Sequence, residues 1–316
     1  MNTAICTLFE DHYHHGVAAL TNSLYCQGFK GPIFAGYRGS LPKWANGARE
    51  NPNLSWKGAR SLHVDGGLEL HFLPVDIEHH FTNFKPDFML KLWEGPARDA
   101  EAITYFDPDI TIKCKWAFFE NWMSHGVALV HEITANDMPP THPIRKEWEK
   151  VICKCNKKSI RELNSYINAG FCGIAKKNRE FLITWKEIID AGKQHFKFDV
   201  GQLNHQRDRT YLFYAADQDS LNITAMCSET PISELGPEGM DFTYGGWTMS
   251  HAVGSPKPWN KNFFLAWLKG RSPSLADKAY WRNAMGPINS NHSTRVRFKR
   301  AIILMTSFLG RFYSVH

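Results

Sequence analysis

No stretch of this chain approaches the ~20 consecutive apolar residues that cross a bilayer; near the end the longest run is Ala301 to Met305. Nothing basic precedes the apolar opening Thr3 to Phe9, and the first lysine is Lys30, so no secretory leader is expected. No Gly-x-Gly-x-x-Gly and no Walker loop follows that opening, so the usual dinucleotide and ATP signatures are missing. There is no internal repeat and no low-complexity segment. With 43% hydrophobic, 22% charged and 13% aromatic residues, the composition excludes a disordered chain, a coiled coil and a collagen-like fibre. Seven cysteines, an odd and scattered set, do not make a disulfide framework and point to a reducing, cytosolic setting. Acidic residues stop at Asp277; seven basic residues follow it, leaving 30 basic against 31 acidic before that point. The net charge of +6 is therefore a property of the tail, and nucleic acid is not an expected partner.

What is present reads as alternating strand and helix. Thr3 to Phe9 is a short run of strand formers, and His14 to Gln27 carries Val17, Leu20 and Leu24 at helical spacing before Gly28. Pro32 to Tyr37 is the next strand. Strand, helix, strand within so short a span gives a parallel sheet flanked by helices. Residues 38–85 are polar and rich in Gly, Pro and Asn, and read as long connections around one or two short strands. Phe88 to Trp93 reads as a helix and Ala102 to Phe106 as a strand. Further strands are expected at Val127 to His131 and Phe171 to Ile174, and helices at Pro143 to Cys153, Ser159 to Tyr166 and Arg179 to Ala191. Catalytic residues 1–265 and a basic amphipathic extension, 266–316, are the simplest division of the 316 residues.

Four segments could carry chemistry. Asp107-Pro108-Asp109 ends a strand, because proline has no amide donor to continue a ladder. Open α/β sheets bind ligands at the carboxyl ends of their strands. Hard carboxylates there suit Mg²⁺ or Mn²⁺, although a solvated strand-ending turn gives the same letters. His251-Ala-Val-Gly254-Ser-Pro-Lys257-Pro-Trp259 combines a metal-ligand type, a glycine that lets backbone approach an anion, and a point charge for a diphosphate. Ala215 to Asn222 looks like a helix start that Asp217 or Asp219 caps. Asn168-Ala169-Gly170 is a glycine-kinked entry into a strand.

Together, in this order, these segments resemble the glycogenin-like family of retaining glycosyltransferases, which includes bacterial galactosyl- and glucosyltransferases. That family carries an Asp-x-Asp after a hydrophobic strand, an Asn-(Ser/Ala)-Gly strand entry, an Asp-Gln-Asp-x-(Leu/Ile)-Asn segment and a His-x-x-Gly-x-x-Lys-Pro-Trp loop. Tyr13-x-x-Gly16 after the first strand is also similar, and the likeness runs over about residues 3–260, with a poor match at 38–85.

The resemblance implies a nucleotide-diphospho-sugar transferase fold of the GT-A type, Rossmann-like, with a mostly parallel sheet. It implies a hexosyltransferase that uses a UDP-sugar donor and Mn²⁺ or Mg²⁺ and retains the anomeric configuration, as in polysaccharide biosynthesis. Asp107, Asp109 and His251 would hold the ion, and Gly254 and Lys257 the diphosphate. Thr7, Phe9, Glu10 and Tyr13 would line the nucleoside pocket, with Lys91 reaching phosphate or sugar. Asn168, Asp217 and Gln218 would hold the donor sugar near a glycan, lipid-linked or protein acceptor. One departure stands out: Phe9-Glu10-Asp11 replaces the Thr-Asn-Asp or Ala-Asp-Asp often found there.

Two other readings accompany this one. A catalytically silent nucleotide-sugar-binding subunit of a glycan-assembly complex would share the fold without needing the full metal set. The clusters His12-Tyr-His14-His15, Glu78-His79-His80 and Cys153-Lys-Cys155 could suggest zinc, but none has a second half at structural-zinc spacing. In the tail from Arg295 to Tyr313, a helix would put Phe298, Ala301, Ile302, Met305, Phe308, Leu309 and Phe312 on one face. Lys299, Arg300, Ser307 and Arg311 would lie toward the other. That pattern fits peripheral contact with an anionic inner membrane face, or equally a helix packed on its own core.

Overall fold

The computed structural model describes residues 1–132, 138–203 and 210–310. The opening strand β1 (Thr3–Glu10) alternates between two cores: Ala4, Cys6 and Leu8 face one layer, Ile5 and Phe9 the other. Helix α1 (His14–Cys26) follows and ends in a Schellman motif. Gly28 takes φ +84°, its N–H donates to Tyr25 C=O at 3.1 Å, and Phe29 N–H donates to Leu24 C=O at 3.0 Å. Strand β2 (Pro32–Arg38) returns parallel to β1, with Ile33 opposite Ile5.

The polar stretch expected to be mostly connection contains three strands, β3 (Arg49–Glu50), β4 (Arg60–Asp65) and β5 (Leu68–Pro74). Gly66 and Gly67, both at positive φ, turn β4 into β5 as a hairpin, and Leu68, Leu70 and Phe72 bury β5 beside β2. Then come α2 (Lys85–Glu94), β6 (Ala102–Phe106), β7 (Ile110–Ile112), α3 (Trp116–His125), β8 (Val127–His131) and α4 (Pro143–Lys154). The chain continues through β9 (Ile167–Ala175), α5 (Glu180–His195), α6 (Ala216–Cys227), β10 (Ile232–Leu235) and β11 (Met249–His251). It closes with α7 (Phe263–Leu268), α8 (Leu275–Asn283) and α9 (Ser293–Leu309).

Among the described residues the main sheet has nine strands in the order β10-β8-β9-β6-β1-β2-β5-β4-β3, a mostly parallel α/β architecture as expected. Only β4 and β9 run against the rest. Helices α2, α4, α5 and α6 cover one face, and α1 and α3 the other. Strands β7 and β11 form a separate antiparallel ribbon.

The helix expected at Ser159 to Tyr166 is not formed. The N–H groups of Ile160 and Arg161 donate to Met226 C=O instead. The Arg161 guanidinium takes the carbonyls of Ala225, Ser228 and Thr230, so this segment lies along the end of α6 rather than coiling on itself.

The C-terminal helices share a small core with α1. Ala19, Trp259, Tyr280, Trp281, Val296 and Ile303 pack together, and Asn22 bonds the backbone of Asn283 and Ile288. The boundary expected at residue 265 falls inside α7. In α9 the buried positions are Val296, Ile303 and Thr306, whereas Phe298, Met305 and Phe308 of the expected stripe are exposed. Arg295, Lys299 and Arg300 donate to the carbonyls of Trp259, Lys261 and Trp281, so Lys299 and Arg300 of the expected polar side meet neighbouring segments. Arg311 and Phe312 lie outside the described residues.

Candidate active site

A cavity of about 860 Å³ opens at the carboxyl ends of β1, β6 and β8, next to the amino end of the reversed strand β9. Asp107, Asp109 and His251 meet there, with their ligand atoms within 4.8 Å of one another. The local sequence dictates the meeting. Pro108 interrupts the run after β6; Asp107 N–H donates to Gly170 C=O at 2.7 Å, and Ile110 N–H to Asp107 C=O at 3.1 Å. The chain then enters β7, which pairs with β11 so that Ile110 faces His251, and Ala252 N–H donates to Asp109 C=O at 3.1 Å.

His251 turns Nε2 toward the carboxylates, 3.3 Å from Asp109 Oδ1 and 3.8 Å from Asp107 Oδ2. Two carboxylate oxygens and one imidazole nitrogen form a donor set that fits Mg²⁺ or, with its nitrogen, Mn²⁺. Glycines make the close approaches possible. A Cβ on Gly170 would strike the His251 ring and Asn168 Oδ1, and one on Gly16 would strike the Pro108 carbonyl. Burial would raise the Asp109 pKa, but His251 and Lys257 override it and hold the carboxyl well below its usual range.

Lys257 Nζ lies 2.5 Å from Asp109 Oδ2 and donates to Ala252 C=O at 2.8 Å. Gly254, at φ +79°, lines the same wall. Phe9, Glu10 and Tyr13 line the neighbouring part of the cavity, where Arg38 holds Glu10 at 3.1 Å and Phe9 stacks on Tyr37. Thr7 is fully buried within β1 and does not line the cavity.

Lys91 does not reach the site either. It is exposed on α2, with Nζ over the Phe84 ring at 4.9 Å. The lysine of α2 that does reach its carboxylates is Lys85, fully buried on the first turn. Its Nζ lies 2.8 Å from Asp217 Oδ2, 3.1 Å from Asp107 Oδ1 and 2.8 Å from Ala169 C=O. Burial works against its charge, yet Asp107 and Asp217 outweigh this and raise its pKa. The sequence signal was Pro86, which marks the first turn of a helix and moves the start of α2 back to Lys85.

Asn168, Asp217 and Gln218 converge on the same cavity. Asn168 Nδ2 donates to Glu132 Oε2 at 2.5 Å and to Gln218 Oε1 at 2.7 Å, while its Oδ1 accepts from Gly170 N–H at 2.8 Å. Ala169 N–H adds a second bond to Gln218 Oε1 at 3.3 Å. The amide oxygen of Gln218 is thus occupied. Asp219 faces inward: its Oδ2 accepts Ala215 N–H and its Oδ1 the Tyr166 hydroxyl, each at 2.7 Å, and burial lifts its pKa to about 8. Glu132 and Tyr166 were not singled out from sequence, because their roles depend on the bonds β8 and β9 make across the sheet.

No protein-family model and no curated protein sequence matches this chain. Solved structures do match in fold. The bifunctional glycosyltransferase WbbM aligns over 95% of this chain and 52% of its own, at 13% identity and a TM-score of 0.53. The glycosyltransferase GlyE of Streptococcus pneumoniae TIGR4 aligns over 95% of this chain and 64% of its own, at 14% identity and a TM-score of 0.51. This chain therefore spans about half to two thirds of those two chains, and what it shares with them is the architecture of the sheet and its helices.

Proposed function

We propose that the chain is a hexosyltransferase of the glycogenin-like kind, moving a sugar from a UDP-sugar to a glycan, lipid-linked or protein acceptor. The observation that carries this reading is the convergence of Asp107, Asp109, His251 and Lys257 on the cavity that also holds Asn168, Asp217 and Gln218. Asp107, Asp109 and His251 would hold a divalent ion, which would supply positive charge where a leaving diphosphate gains negative charge.

The protein's own groups do the rest. Lys257 and the backbone at Gly254 bind the diphosphate, and Phe9, Glu10 and Tyr13 hold the nucleoside beside it. Lys85 fixes Asp107 and Asp217 at once, so that the phosphate end and the sugar end of the donor keep one register. Gln218, with its oxygen engaged by Asn168 and Ala169 and its side chain bonded to Tyr166, lines the cavity where the sugar would lie. Held in this way, Gln218 positions the sugar rather than attacking the anomeric carbon. Retention then follows from entry of the acceptor on the leaving-group side, with a phosphate oxygen taking its proton.

A surface feature bears on the acceptor. Phe264, Leu265 and Leu268 of α7 and Phe298, Leu304, Met305 and Phe308 of α9 are all exposed, on a C-terminal segment without acidic residues after Asp277. Exposed apolar side chains on a basic segment suit the headgroup region of an anionic membrane, which fits a lipid-linked acceptor. No helix among the described residues is long and apolar enough to cross a membrane.

The test is hydrolysis of a panel of nucleotide sugars with Mn²⁺ and with chelator. Metal-dependent release of UDP from one sugar, lost in Asp109→Asn, is expected. UDP binding without turnover, even with acceptors supplied, would leave a silent binding subunit instead.

A further inference from the structure

Each aspartate of the Asp-Pro-Asp turn is already matched by a lysine, and the two lysines are held differently. Lys85 is fully buried and tied to Asp107, Asp217 and Ala169 C=O. It cannot leave without stranding the buried Asp217 and taking the cation from Asp107 as well. Lys257 comes from the cavity wall, where among the described residues its hydrogen bonds go to Asp109 and Ala252. The backbone beside it is anchored: Trp281 Nε1 donates to Pro258 C=O at 3.1 Å, and buried Trp259 donates to His12 Nδ1 at 2.9 Å. The backbone that carries Lys257 is therefore held in place, while its ammonium, over the Tyr13 ring at 5.6 Å, sits at the end of an unbranched stem.

We infer that Lys257 is an internal counter-ion for Asp109 that a divalent cation must displace, and that the donor's diphosphate takes up the displaced ammonium. This rests on the donor-site reading above. Asp109 holds Lys257 on Oδ2 and lies against His251 through Oδ1, so both its oxygens are engaged before any ion arrives. A cation arriving alone must break a charge-assisted bond and leave an ammonium without an anion. Arriving with a nucleotide, it leaves the ammonium beside a diphosphate. Cation and nucleotide then bind as a coupled pair, and linkage makes the coupling equal in both directions.

The full chain is titrated with Mn²⁺ alone, followed by loss of the free-ion paramagnetic resonance signal, and again with saturating UDP. Wild type is expected to bind Mn²⁺ weakly alone and at least about tenfold tighter with UDP. In Lys257→Met, Mn²⁺ alone should bind roughly tenfold tighter than in wild type, with a smaller gain from UDP. Lys257→Gln, also uncharged, should behave the same way, and circular dichroism checks that both variants fold. Unchanged or weaker binding of Mn²⁺ alone in both variants, or a UDP gain that keeps its wild-type size, overturns the inference. Asp109→Asn isolates the underlying reading: if it binds Mn²⁺ as wild type does, the ion is elsewhere and the donor site itself is wrongly assigned.

Discussion

Lys85 and Asp217 meet at 2.8 Å although 132 residues separate them. The lysine opens α2 and the aspartate opens α6, so one ion pair fastens two helices. The same ammonium, 3.1 Å from Asp107, joins that fastening to the aspartate turn. The order of the cavity wall and the stability of the fold therefore share one side chain.

Replacing Lys85 with Met leaves the buried Asp217 and the partly exposed Asp107 without their cation. A stability loss of about 3–5 kcal/mol is expected in urea unfolding, together with loss of UDP release. Lys91→Ala, on the exposed side of the same helix, should stay within about 0.5 kcal/mol of wild type. Equal effects of the two substitutions would remove Lys85 from its central place.

Gly170→Ala places a methyl group against the His251 ring and Asn168 Oδ1. The imidazole must turn away from Asp109, so Mn²⁺ affinity in the presence of UDP should fall about 10–100-fold. Isothermal titration measures this directly. An unchanged affinity would show that the metal does not depend on the position of His251.

Asp219 gives the fold a pH dependence. Its pKa is lifted from an ordinary 3.8 to about 8 by burial, so between those values the folded chain holds a proton that the unfolded chain has released. Stability from this group is full below the unfolded value and is lost as pH rises toward 8. Asp219→Asn keeps an acceptor for Ala215 N–H and donates through its amide to the Tyr166 oxygen, without the titration. Thermal unfolding of that variant should show a flatter decline from pH 5 to about 8 than wild type. Parallel declines would show that other groups set the slope.

The apolar surface of α7 and α9 is tested with vesicles. Wild type should sediment with vesicles containing phosphatidylserine and stay in the supernatant with neutral ones or at high salt. A Phe298→Ser, Phe308→Ser double variant should lose sedimentation and keep donor hydrolysis, since neither residue lines the cavity. Retained sedimentation would place the contact elsewhere.

Local pattern made some of this legible. Gly28, the Pro108 break and the alternation from β1 to β2 are decided by residues close in sequence, and they were readable for that reason. The reversal of β9 is not, because a buried run such as Phe171 to Ile174 looks alike in either direction. Lys85 was hidden by a helix start placed a few residues late, and the turn signal of Gly66-Gly67 lay within a stretch whose composition looked like loop. In α9 the heptad-like spacing was visible, but which side met the body depended on Trp259 and Trp281, which no local pattern reports.

The packing of the last helices against α1 sets a schedule for the growing chain. Phe9, Glu10 and Tyr13 of the cavity wall are made well before Tyr280, Trp281 and Val296, which cover the outer side of α1. Until then the Trp259 anchor beside Lys257 lacks its neighbours. A nascent chain can thus assemble most of its sheet before the segment that carries Lys257 has its support.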